Sequence, residues 1–125
     1  MRLANPLVRA ILRSGGHRLL SGSLLVLSYR GHRSGRTFEI PLRYVERTDR
    51  RLVVVAVRPG RKLWWRSFAR SAPADVALRG KRVTVLGSLV EDEARDDALA
   101  AYVARYPSSG RVIRDAAVVV LDPTR

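Results

Sequence analysis

The sequence predicts a mainly β protein: a small antiparallel barrel of six strands with peripheral helices. Three observations carry this. Six short apolar runs are separated by turn signals, and most connections are short enough to be hairpins. The strands do not alternate with long helical segments, which disfavours a doubly wound parallel sheet. A chain of 125 residues with 46% apolar content makes one domain with a real core. Closing its sheet into a barrel removes exposed edge strands.

The elements follow in order. Asn5-Pro6 reads as an N-cap followed by proline at the first helical position. Leu7, Val8, Ile11 and Leu12 then make an apolar stripe, Arg9 and Arg13 lie on another face, and Gly15-Gly16 ends the helix. Residues 1–22 are thus an N-terminal amphipathic helical segment, and residues 23–125 form the barrel domain. Leu24 to Arg30 is a continuous apolar run bounded by Gly22 and Gly31, a strand. Arg36 to Glu46 is the second strand, and Leu52 to Arg58 the third, with Thr48-Asp49-Arg50 turning between them. Arg58-Pro59-Gly60 breaks the third strand, and Lys62 to Arg70 forms a short helix. Val76 to Arg79 and Arg82 to Val90 make a hairpin around Gly80-Lys81. Glu91-Asp92-Glu93 opens a helix, where carboxylates suit the positive end of the dipole. Leu99, Tyr102, Val103 and Tyr106 form its core-facing stripe, and Pro107 stops it. Ala116 to Leu121 is the last strand.

Composition narrows the function. The chain has no cysteine, hence no disulfide, thiol nucleophile or thiolate metal site. Its two histidines, His17 and His32, lie far apart, which disfavours zinc. No apolar run reaches the roughly 20 residues that span a bilayer. Arginines interrupt the apolar residues of the first segment, unlike a signal peptide. The expected location is cytoplasmic. The formal net charge is +13, and all but two of the 24 basic side chains are arginine. Residues 1–38 carry seven arginines and no acid, whereas seven of the eleven acids lie beyond residue 90. Such segregation builds a positive potential that concentrates an anionic partner. Nucleic acid, an anionic membrane and a polyanionic small molecule all qualify.

The segment Gly31-His32-Arg33-Ser34-Gly35-Arg36 is a candidate anion cradle. Its glycines permit left-handed backbone, and successive amides in such a turn form an anion-binding nest. Arg33 and Arg36 can grip a phosphate or carboxylate with two parallel bonds, and the Ser34 hydroxyl can join them. A solvated hairpin turn is the plain alternative. Arg58-Pro59-Gly60-Arg61-Lys62 is a second basic turn, and with the first it could clamp a long anion. Trp64 and Trp65 follow; adjacent positions on a helix point one ring to the core and leave the other for a pocket. His32 is a proton-transfer or anion-contact candidate, and Glu39 a buried arginine partner or general base. Ser21, Ser23 and Ser34 lack a histidine and acid at catalytic spacing. Neither a Rossmann glycine fingerprint nor a P-loop occurs.

The order G-H-R-S-G-R-x-x-x-x-P-L-R-Y, then V-V-V-A-V-R-P-G-R-K-x-W-W-R, then V-A-L-R-G-K and a helix ending R-Y-P resembles the deazaflavin-dependent nitroreductase family. The resemblance runs from about Leu24 to Leu121. It implies a split β-barrel that binds coenzyme F420 and transfers a hydride to a small organic acceptor, a quinone, an enone or a nitro compound. By the same resemblance Arg33 meets the cofactor's phosphate or glutamate tail, and Ser34, Gly35 and Arg36 complete that turn. Pro41 and Leu42 match the second strand's signature. Arg58 takes the place of a lysine in the cofactor loop that Arg61 and Lys62 continue, and Trp64 shapes the site. His32 and Phe38 depart from the family's basic residues, and the tyrosines that flank substrate in nitro-reducing members are missing after Tyr106-Pro107. The cofactor's phosphate and glutamates suit an arginine-lined groove.

Other readings stand beside this one. The same barrel could hold FMN, or carry a flavin or deazaflavin without turnover. A nucleic-acid-binding barrel is disfavoured, since such readers stack bases on aromatics across a sheet and this chain has two tryptophans, four tyrosines and two phenylalanines in all. The basic segment 1–22 is also a candidate for peripheral membrane contact. The protein is expected as a monomer or a homodimer.

Overall fold

The structure, a computed structural model, describes residues 23–123. The helix expected after Asn5-Pro6 and its membrane role lie outside the described residues. Seven strands and one α-helix occur among the described residues: β1 (Leu24–Arg30), β2 (Thr37–Arg43), β3 (Val45–Glu46), β4 (Leu52–Ala56), β5 (Ala72–Leu78), β6 (Lys81–Leu89), α1 (Asp92–Arg105) and β7 (Ala117–Pro123). The sheet order is β2-β1-β5-β6-β7-β4-β3, antiparallel throughout. None of these helices is long and apolar enough to cross a membrane.

The expected second strand is split into two. β2 pairs with β1 along Thr37–Arg43, whereas β3 pairs with β4 at Val45 and Glu46. Tyr44 lies between them, and its amide donates to the Ser23 carbonyl at 2.9 Å. One bent segment therefore supplies both edges of the sheet, which curls back on itself as a half-barrel. The Tyr106 hydroxyl donates to the Tyr44 carbonyl and ties α1 to this bend.

Alternation along the strands divides the core into two layers. Leu25, Leu27, Leu52, Val54, Ala56, Val76, Val85, Val119 and Leu121 fill the barrel with Tyr44, Trp64 and Phe68. Val53, Val118 and Val120 face outward and pack with Ala98 and Tyr102 of α1 and with Tyr106 just past its end. β4 and β7 are thus covered on both faces, which explains their unbroken valine runs. The buried stripe of α1 is Ala98 and Tyr102, continued by Tyr106 at its C-cap, with Leu99 and Val103 at its margin. Arg95 fixes α1 from its side, donating to the carbonyls of Arg114 and Ala116, each at 2.8 Å.

Several boundaries differ from expectation. β4 ends at Ala56 because Arg58 takes a left-handed φ of 53°. The expected helix over Lys62 to Arg70 is a shorter 3-10 turn, Trp64–Phe68, whose buried rings Trp64 and Phe68 plug the barrel. β5 starts earlier, at Ala72, and contains Pro73. β1 pairs with β5 only at Asp75–Ala77, so Pro73 has β6 alone as a neighbour and its missing N–H breaks no central ladder. The β5–β6 turn sits at Arg79-Gly80, with φ of 50° and 74°. Two successive left-handed residues closing the pair Leu78–Lys81 match the twist of a tight hairpin.

Candidate functional site

The two basic turns meet. β1 and β4 run in the same direction through the barrel, so the turns that follow them emerge at one end. There an open groove of 380 Å³ is lined by Tyr29, Gly31, His32, Arg33, Ser34, Phe38, Arg61, Leu63 and Trp64. A larger cavity of 490 Å³ opens where β5 ends and β6 begins, at the opposite end. Its floor is Leu52, Val76 and Leu78, and its Arg79 already pairs with Glu46 at 2.9 Å. None of the candidate cofactor-binding residues lies there, and the first groove is the better candidate.

The first turn is built by its own polar atoms. The Gly31 amide donates to the Arg36 carbonyl at 2.7 Å, and the Gly35 amide to the Gly31 carbonyl at 3.2 Å. Gly35 takes a φ of 71°, which an L side chain resists. Gly31 is fixed by space: a Cβ there would stand 2.8 Å from the Phe38 ring and 3.2 Å from the Ser34 hydroxyl. That hydroxyl accepts the Arg36 amide at 3.1 Å. Three of the turn's amides, those of Gly31, Gly35 and Arg36, and the serine oxygen are therefore engaged inside the turn. The exposed Arg33 side chain, beside the groove, carries its anion-binding capacity.

The second turn folds on Arg58, whose carbonyl accepts the amides of Arg61 at 2.9 Å and Lys62 at 3.2 Å. Trp65 holds it from below, its Nε1–H donating to the Pro59 carbonyl at 2.9 Å. Arg66 lies over the Trp65 ring, 5.4 Å from its centroid. Trp64 is 8% exposed and belongs to the barrel core, yet one edge reaches the groove. The neighbouring tryptophans thus divide between groove wall and loop clamp.

Of the residues the sequence singled out, Arg33, Ser34, Arg61 and Trp64 line the groove together. Gly35 and Arg36 shape the same turn without lining it. Arg58 and Lys62 shape the second turn. Leu42 pairs with Leu25 and packs into the barrel core, while Pro41 pairs with Val26 on the outer face and is exposed. Neither lies at the groove. Glu39 is buried on that outer face, 6% exposed; Ser28 donates to its Oε2 at 3.3 Å, and its Oε1 has no hydrogen-bond partner among the described residues. Strand alternation puts it on the face away from Tyr29 and Phe38. His32 does line the groove.

Sequence reasoning missed the aromatic wall. Tyr29 follows Leu25 and Leu27 as the third inward position of β1, and Phe38 is its direct partner on β2. Their ring centroids lie 5.8 Å apart, and Tyr29 also stands 6.2 Å from Phe68. Burial pushes the Tyr29 phenol above its usual range. The signal was present in the parity of β1, since its inward row runs directly into the glycine turn. Phe38 and Leu63, at 37% and 40% exposure, are two of the large apolar side chains this surface leaves in water. The groove therefore offers guanidinium groups at its rim and flat apolar surface on its wall.

A groove of this kind at one end of a curled antiparallel sheet defines a split-barrel protein. The family model for F420H(2)-dependent quinone reductase matches residues 1–123. The chain belongs to that family, and it is an oxidoreductase that depends on reduced F420. An F420-H2 dependent reductase, FDR-A, shares the fold with a TM-score of 0.64 at 19% identity, covering 80% of this chain and 94% of that one. A structure described as a domain-swapped dimer aligns with a TM-score of 0.66 at 19% identity, over 92% of this chain and 99% of that one. The heme storage protein HutZ of Vibrio cholerae aligns with a TM-score of 0.65 at 16% identity, over 100% and 92% of the two chains. No curated protein sequence matches. The family supports F420 as the cofactor and gives the FMN alternative no support.

Proposed function

We propose that the chain transfers a hydride from reduced F420 to a quinone, with the groove between the two basic turns as the cofactor site. The observation that carries this is the convergence of Arg33 and Arg61 on one groove with an aromatic wall. The donor set fits the cofactor. Guanidinium groups at the rim suit its phosphate and glutamates, and Tyr29, Phe38 and Trp64 suit a ring. F420 supplies the hydride chemistry when bound; the protein binds, orients and shields it.

Each part of the chain then has a task. Arg33 and Arg61 hold the charged tail from opposite turns. The internal bonds of Gly31, Ser34 and Gly35 keep the first turn in shape before the ligand arrives, which lowers the ordering cost of binding. The Trp65–Pro59 bond does the same for the second. Trp64 couples the groove to the barrel core. A quinone is favoured over nitro and enone acceptors by the family's own description. The domain-swapped dimer among the structural neighbours supports a homodimer, and a cytoplasmic location accompanies this reading.

The test is titration of the purified protein with F420, FMN and NADPH, followed by oxidation of reduced F420 with a soluble naphthoquinone. Micromolar binding of F420 alone and quinone-dependent oxidation are expected. Binding of FMN in place of F420 would overturn the reading.

A further inference from the structure

Resting on the F420 reading, we propose that Tyr29 is the ring-binding residue of the groove: its phenol O–H donates a hydrogen bond to a carbonyl or anionic oxygen on the flat ring of the bound deazaflavin. Three independent observations converge on it.

The first is placement. Tyr29 sits on the inward row of β1, above Leu25 and Leu27, at the mouth of the barrel. Its ring is held between Phe38 and Phe68, with centroids 5.8 Å and 6.2 Å away. A side chain on a strand and wedged between two rings is better positioned than one on a loop. Arg33 and Arg61, by contrast, are exposed on turns, which suits a long and variable polyanion.

The second is a hydroxyl left available to a ligand. Tyrosine hydroxyls in apolar surroundings are usually hydrogen-bonded. The Tyr29 hydroxyl makes no hydrogen bond among the described residues, although the other tyrosine reaching a buried polar group, Tyr106, does so with the Tyr44 carbonyl. Tyr29 lines the groove and is half-buried, so water meets its hydroxyl until a ligand in the groove replaces that water as acceptor.

The third is the exposed apolar surface beside it. Phe38, Leu63 and the edge of Trp64 surround Tyr29 with a wall that a flat ring would cover. A ring seated there brings its polar edge to the Tyr29 hydroxyl, a neutral donor within the wall. A phenol is protonated through the neutral range, and burial pushes that of Tyr29 further up, so it remains a donor when the ligand carries negative charge.

The experiment compares wild type with Tyr29→Phe and Arg33→Ala for two ligands: F420, and the deazaflavin chromophore lacking phosphate and glutamates. Tyr29→Phe should weaken both by the same factor, on the order of 5- to 20-fold, with thermal stability unchanged because the ring is retained. Arg33→Ala should weaken F420 and leave the tail-less chromophore unaffected. Equal affinities of wild type and Tyr29→Phe for both ligands would overturn the inference, as would a loss confined to F420. A wild type that binds neither ligand would overturn the F420 reading itself, and this inference with it.

Discussion

The Phe68 ring packs so closely on Gly87 that a Cβ at Gly87 would stand 2.5 Å from its Cδ1 and 2.6 Å from its Cε1. Gly87 lies in β6, opposite Leu121 of β7, and is buried within the barrel. Phe68 in turn touches Tyr29 and Trp64, with centroids 6.2 Å and 6.4 Å away. One missing methyl group in the sheet thereby makes room for the ring that backs two residues of the groove wall, Tyr29 and Trp64.

Gly87→Ala should therefore destabilise the fold by about 1–3 kcal/mol through overpacking. Denaturant unfolding followed by tryptophan fluorescence reads this as a lower midpoint with an unchanged slope. Because the displaced ring supports Tyr29 and Trp64, F420 affinity should fall as well. An unchanged midpoint would show that Phe68 has room to move aside.

Arg33→Ala and Arg61→Ala should each weaken F420 binding by about 10- to 100-fold, the range for losing a charge-assisted hydrogen bond. Raising the salt concentration should narrow the gap between wild type and either variant, because the interaction is exposed. Leu42→Ala should behave in the opposite way, lowering stability by about 2–5 kcal/mol with little effect on affinity in the fraction that folds. Calorimetric titration and thermal melts on the same three proteins separate the two behaviours.

Trp65→Phe removes the Nε1–H bond to the Pro59 carbonyl while keeping an aromatic ring. The turn from Arg58 to Lys62 should loosen, and F420 affinity should drop by about 3- to 10-fold through a lost bond near 1 kcal/mol. Amide exchange should quicken at residues 59–62 and stay constant in β6 and β7. Unchanged exchange in the turn would mean that the Arg58 carbonyl holds it without help.

Stability should fall at high pH. Burial, the largest cause for each, pushes the phenols of Tyr29, Tyr102 and Tyr106 above the usual 10.0, and Arg43 and Arg105 only partly offset it at Tyr106. The folded protein then binds these protons more tightly than the unfolded chain. Their contribution is complete below the unfolded value and is lost as pH rises through the folded values. The melting temperature should begin to drop above about pH 10. Tyr102→Phe should make that drop shallower; an unaltered slope would place the effect elsewhere.

Much of this architecture could be read along the chain. The all-apolar runs of β4 and β7 announce strands covered on both faces, and the structure places the barrel core on one side and α1 on the other. The Gly80 turn, the helix beginning at Glu91-Asp92 and its stop at Pro107 were equally legible, because capping and turn chemistry are local. The glycine-serine turn and the Arg58 turn were visible as basic loops for the same reason. Charge counting gave the sign of the ligand, since it needs no geometry.

What the sequence by itself determined is which segments become strands, which faces are buried and which loops are basic. Those depend on periodicity and on residues a few positions apart. Only the tertiary structure decided that Arg33 and Arg61 share a groove, that Tyr29 faces it, and that Pro41 and Leu42 do not. It also decided that the second strand breaks at Tyr44, because only a bend there lets β2 pair with β1 and β3 with β4. Strand order and barrel closure are non-local: they arise from burying all the apolar faces at once, and no short window of the chain contains them.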